Sequence, residues 1–162
     1  MRQVATGNLE ALPVLFERHH KHVYNFLFKM SRDQMLSEDI TQEVFYKVIK
    51  YKESYREGKF ISWLFTIARN SLSSYYTRKK ENHTQLDAVA YKISEAEAED
   101  YSQLDLALQK LDPSDRELLI LNRLQEIKYN ELAEITNSTP GAVKTKVSRA
   151  LKKLRVIYFQ TI

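Results

Sequence analysis

The sequence predicts an all-α protein built as two small helical domains joined by a linker. Three observations predict it. Only three Gly and three Pro occur in 162 residues, with 43% hydrophobic and 28% charged, a balance that favours helices and leaves enough apolar chain for a core. Apolar residues recur at helical spacing on both sides of residues 81–103, a stretch that is dense in small and acidic side chains and lacks an apolar stripe. Charge follows the same division. Residues 1–80 carry 14 basic and eight acidic side chains, residues 81–105 one and seven, and residues 106–162 ten and six. Two basic blocks flanking an acidic one suit two modules that touch a single polyanion through a linker repelled from it.

The elements follow in order. A first helix is expected from about Leu9 to Met30, burying Leu12, Leu15, Phe16, Val23, Phe26, Leu27 and Met30. Ser37 then reads as the cap of a second helix, with Glu38 and Asp39 placed in its first turn against the macrodipole. This helix buries Ile40, Val44, Phe45 and Val48, and sets Asp39, Gln42, Glu43 and Tyr46 on another face. A third helix covers roughly Phe60 to Lys80, with Leu64, Ile67, Ala68 and Leu72 inward. Residues 81–103 read as an acidic linker with room for one short helical turn. Beyond it, Leu104, Leu108 and Leu111 give a short helix that stops at Asp112-Pro113. Asp112 is expected to cap the next helix, with Pro113 at its first position, where a missing N–H costs nothing. That helix carries Leu118, Leu119, Leu121 and Leu124. A further short helix spans about Tyr129 to Thr136. Thr139-Pro140 then starts a basic helix whose inner stripe is Val143, Val147, Ala150, Leu151 and Leu154.

The last two helices form a helix-turn-helix pattern, with the small Ala133 permitting a close crossing and Asn137 suited to left-handed geometry in the turn. Residues 136–155 hold six basic side chains and no acidic one. The outer face presents Thr139, Lys144, Thr145, Lys146, Ser148 and Arg149, side chains that suit phosphates and base edges. In the N-terminal block, Lys47, Arg69, Asn70, Arg78, Lys79 and Lys80 lie among Tyr55, Phe60, Trp63, Tyr75 and Tyr76. Basic groups among aromatics suit single-stranded DNA, where bases stack and phosphates need neutralising. Trp63 sits inside the third helix's apolar run and is read as core. Asp39, Gln42 and Glu43 make a net acidic face in a basic module, poorly placed for DNA and suited to a basic protein surface.

These motifs resemble a known family, the extracytoplasmic-function sigma factors of bacterial RNA polymerase. SEDITQEVFYKVI and FISWLFTIARNSLSSYYTRKK, in that order before a linker, are similar to its N-terminal signature. YNELAEITNSTPGAVKTKVSRALKKLR is similar to its C-terminal one through Tyr129, Glu131, Ala133, Glu134, Gly141, Val143, Lys144, Ser148, Arg149, Ala150 and Leu154. Ser74 and Asn137 depart from it, standing where Asp and Gly are common. The resemblance implies a factor that binds core polymerase through the β′ clamp and the β subunit and directs it to promoters. Residues 1–80 would dock through Asp39, Gln42 and Glu43 and read a melted −10 element with Lys47, Trp63, Arg69, Asn70, Arg78 and Lys79. Residues 104–162 would read a duplex −35 element with Thr139, Lys144, Thr145, Lys146, Ser148 and Arg149. An anti-sigma factor is implied as a further partner.

Two other functions fit parts of the sequence. A helix-turn-helix regulator would bind duplex DNA without engaging the polymerase core. A metallo-enzyme would use His19, His20 and His22, but His19 and His22 at i,i+3 converge only two nitrogens and nothing nearby supplies a third ligand. No phosphate loop, nucleophile elbow or catalytic carboxylate pair stands out, so no enzyme and no cofactor is expected. The absence of Cys and of any long apolar run, with Glu10 and Arg18 too early for a signal peptide, favours a cytoplasmic protein without membrane insertion.

Overall fold

The structure, a computed structural model, describes residues 1–56, 58–83 and 102–161. Among these residues helices α1 to α8 appear and no strand does. The N-terminal half comprises α1 (Arg2–Ala5), α2 (Leu12–Ser31), α3 (Gln34–Lys50) and α4 (Phe60–His83). The C-terminal half comprises α5 (Gln103–Gln109), α6 (Pro113–Leu119), α7 (Tyr129–Ile135) and α8 (Pro140–Thr161). In the first half α3 packs between α2 and α4; in the second, α5, α6 and α7 all pack on α8. The two halves also touch, α4 against α7 and α2 against α6, so one buried cluster runs from Val23 and Phe26 through Leu64 and Phe65 to Leu132, Val143 and Val147.

The helix starts depart from expectation in instructive ways. The first long helix begins at Leu12, not Leu9, because Pro13 cannot sit inside a helix but fits its first turn; Leu9–Ala11 form a separate 3-10 turn capped by Asn8. Its buried stripe is Leu15, Val23, Phe26 and Leu27, which leaves Phe16 at the margin, 38% exposed, stacked on His20 and edge-on to Phe45. Ser37 is not a cap. Asp33 caps α3 by accepting from the Leu36 N–H at 2.9 Å, and Ser37, buried one turn in, donates back to the Asp33 carbonyl. A carboxylate before the first turn satisfies an orphan N–H and meets the positive end of the dipole, so Asp33 outcompetes the later Ser.

Asp112 and Pro113 do open α6, but the Asp112 side chain makes no cap bond and turns towards Lys153 on α8 instead. After Leu119 the helix widens into a π turn, Ile120–Leu124, in which Gln125 N–H reaches the Ile120 carbonyl. The extra residue rotates Leu124 outward, against the expectation that it is core. Leu104 is likewise exposed, lying in the first turn of α5 beside its Ser102 cap. The third long helix runs three residues past Lys80, to His83. The short turn expected within residues 81–103 lies outside the described residues.

Candidate functional site

The C-terminal site is built on α7 and α8. α7 starts with the Lys128 N–H bonded to the Glu131 carboxylate three residues on, and ends in a left-handed Asn137 (φ 50°). There Ser138 N–H meets the Ala133 carbonyl and Asn137 N–H the Glu134 carbonyl, a Schellman closure with Asn in the usual Gly position. Thr139 then caps α8 through its hydroxyl to the Ala142 N–H. Val143, Val147 and Ala150 are fully buried on α7 and α6, so the opposite face must look outward. On it Thr139, Lys144, Thr145, Lys146, Ser148 and Arg149 are all exposed. A Cβ added at Gly141 would meet nothing within 4 Å, so this glycine serves no packing need and keeps the helix start free of bulk. Further along, Lys153 differs from its neighbours. Exposed like Lys152 and Arg155, it is nonetheless ion-paired to Asp115 and lies 3.7 Å from Asp112.

On α3, Asp39 and Gln42 are exposed, and Glu43 is half-buried in a 2.6 Å ion pair with Lys47 one turn on. Gln42 borders a groove of about 400 Å³ between α2 and α3, lined by Phe16, Tyr24, Glu38 and Thr41 together with His20 and Lys21. Acidic and amide groups beside exposed aromatic surface suit a protein partner with basic side chains.

The six residues expected at the N-terminal DNA site do not gather in one place. Lys47 and Arg78 line an open hollow of about 550 Å³ with Ser73, Ser74 and Thr77, and Lys47 donates to the buried Ser71 hydroxyl. Trp63 is half-buried against the core in an aromatic group with Tyr55 and Phe60. Lys79 stands over the Tyr75 ring, itself edge-on to Tyr76. Arg69 and Asn70 face the other half across a cleft of about 520 Å³. There Arg69 Nε donates to the Glu117 carboxylate at 2.8 Å.

Sequence reasoning missed this inter-half set. Asp105 bridges Lys29 (2.9 Å) and Arg32 (3.1 Å) at the end of α2. Arg116 spans four backbone carbonyls: Met30 on α2, and Leu108, Gln109 and Leu111 around the end of α5. Gln109 adds a bond to the Lys29 carbonyl. Burial pushes the Glu117 carboxyl up, and the Arg69 guanidinium pulls it partly back. For Asp105 burial also pushes up, but the Lys29 and Ser102 hydrogen bonds and the Arg32 charge outweigh it and hold the carboxyl below its usual value. The one sequence signal was the presence of six carboxylates within residues 106–162, a net basic block read as DNA-binding.

His19, His20 and His22 part company. His20 bonds the Phe16 carbonyl, His22 reaches Gln125 across the halves at 3.0 Å, and His19 packs on Phe60. Among the described residues no three potential ligands converge. None of their helices is long and apolar enough to cross a membrane.

Two family models match different parts of the chain. Residues 15–82 match the model of sigma-70 region 2, and residues 101–154 that of sigma-70 region 4. The chain is 32% identical to the RNA polymerase sigma factor CarQ of Myxococcus xanthus, over 96% of this chain and 93% of that one. It is 29% identical to the ECF RNA polymerase sigma factor SigM of Bacillus subtilis, over 89% and 93%. The fold is shared with CnrH, solved in complex with the cytosolic domain of CnrY (TM-score 0.78, 22% identity, 96% of this chain and 92% of that one). It is also shared with RpoE of Bartonella quintana, solved with the anti-sigma factor NepR (TM-score 0.70, 23% identity, 90% and 94%). An acidic-faced N-terminal bundle followed by a basic helix-turn-helix, matched along nearly its whole length by such relatives, means that the chain belongs to the extracytoplasmic-function sigma factors of bacterial RNA polymerase.

Proposed function

We infer that this protein binds core RNA polymerase and directs promoter-specific transcription initiation as a non-enzymatic factor. One observation carries the reading. A single chain presents an exposed acidic face on α3 and an exposed basic reading face on α8, within the two regions that its relatives share. A regulator that bound only duplex DNA would have no use for the first region, and the divergent histidines offer no metal centre.

Roles divide by chemistry. Asp39, Gln42 and Glu43 receive basic side chains of the polymerase β′ clamp, with the β subunit as a further contact. Lys47, Arg69, Asn70, Arg78 and Lys79 neutralise the melted −10 strand while Trp63 and its neighbouring rings take stacked bases. Thr139, Lys144, Thr145, Lys146, Ser148 and Arg149 read the −35 duplex from the major groove. Residues 1–80 and 104–162 are the two working domains and residues 81–103 the linker. The protein acts in the cytoplasm, where its template is. An anti-sigma factor is proposed as a partner, since one of the proteins sharing the fold was solved with one. The test is run-off transcription by core polymerase on a genomic DNA library. Discrete starts that need this protein support the reading, and unchanged transcription rejects it.

A further inference from the structure

The four described ion pairs that cross between the halves have one polarity. Lys29, Arg32, Lys59 and Arg69 supply the cations from the N-terminal half, and Asp105, Glu131 and Glu117 the carboxylates from the C-terminal half. We propose that these carboxylates act as an internal stand-in for DNA phosphates, holding the chain closed, with Glu117 keeping Arg69 from promoter DNA until the halves separate. The proposal rests on the reading of Arg69 as a promoter contact.

The geometry supports competition rather than coexistence. The Glu117 side chain is only 13% exposed, and the Arg69 Nε proton already points at it. Pro113 and Ser114, at the start of α6, line the same cleft as Arg69 and Asn70, so a DNA strand approaching that stretch of α4 meets α6 first. Arg116, the neighbour of Glu117, ties α6 to the end of α2 and holds the carboxylate in place. The masking is selective. Arg78 faces an open hollow and the outer face of α8 is exposed, while Lys47 is paired within its own helix to Glu43 and not across the halves. The closed chain therefore offers its duplex reader while withholding part of its single-strand reader. The latch can be opened because partly exposed ion pairs are individually weak and screened by salt, and a polyanion supplies many competing charges at once.

The test uses the full chain. It has no native cysteine, so Met35→Cys and Val156→Cys, at two exposed positions, can carry a fluorescent donor and acceptor. The probe is a mixed-sequence single-stranded oligonucleotide of about 20 nucleotides, long enough to span one such site. In the wild type, energy transfer should fall as the oligonucleotide binds. Glu117→Gln should start with lower transfer and bind the oligonucleotide about three- to tenfold tighter, the range expected on releasing one charge-assisted contact. Equal or weaker binding by E117Q, or transfer unaffected by the oligonucleotide, overturns the proposal. If E117Q loses its helical circular dichroism, Asp105→Asn carries the same test with the same two outcomes. Run-off transcription by the wild type separates the two levels. Initiation by the wild type without any gain in E117Q binding refutes the latch alone, whereas no initiation refutes the reading beneath it.

Discussion

Replacing Arg116 with Ala should be among the most destabilising single substitutions outside the apolar core. The guanidinium donates to four carbonyls at 2.9 to 3.2 Å, three around the end of α5 and one on α2. Hydrogen bonds from a charged donor contribute about 1.5–3 kcal/mol each when buried, but Arg116 is half-buried and its bonds share one side chain, so a total of about 3 kcal/mol is expected. For a chain of this size that lowers the unfolding midpoint by roughly 6–12 °C. Arg116→Lys should recover no more than about half, because an ammonium has three donors and cannot reach carbonyls on two helices at once. Thermal unfolding followed by circular dichroism is the assay. A midpoint within about 2 °C of wild type for R116A, or full recovery by R116K, would refute the view that this side chain clamps α5 and α6 to α2.

Asp39→Lys with Glu43→Lys should abolish co-purification with core polymerase while leaving helical content unchanged; retained binding would remove α3 from the interface. Lys152→Ala and Arg155→Ala should each flatten the salt dependence of duplex binding by roughly one unit, if their charges meet phosphates. Lys153→Ala should flatten it less, because Asp115 already partners that charge. Asp105→Asn should lower stability at neutral pH. Its carboxyl is held below the usual value, so the wild-type advantage is full above the ordinary aspartate range and is lost as pH falls through the depressed value. Denaturation midpoints of both proteins should therefore converge in acid, and a difference that persists there would contradict the pairing.

The order of the seven helices from α2 to α8 and most of the buried stripes were legible because they depend on local periodicity, whereas the four-residue α1 (Arg2–Ala5) was not anticipated. Val143, Val147 and Ala150 are buried and Lys144, Lys146 and Arg149 exposed for the same reason, a 3.6-residue repeat packed on one side. The left-handed Asn137 was legible because few residues other than Gly tolerate that geometry. What escaped were competitions and long-range pairs. Ser37 and Asp33 both qualify as caps, and only the backbone decides which is used. The π turn that exposes Leu124 leaves no sequence mark. Arg69 looks the same in the sequence whether it meets DNA or Glu117, 48 residues away, and that ambiguity is what the closed arrangement exploits.

The most direct measurement maps transcript starts from a genomic library transcribed by core polymerase with wild-type protein, with the α3 double variant, and with Arg149→Ala. The account predicts discrete starts for the wild type and none for the α3 variant. For R149A, starts should be weakened unequally, according to the sequence upstream. Starts that appear without the protein, or that survive reversal of the α3 face at wild-type strength, would contradict it.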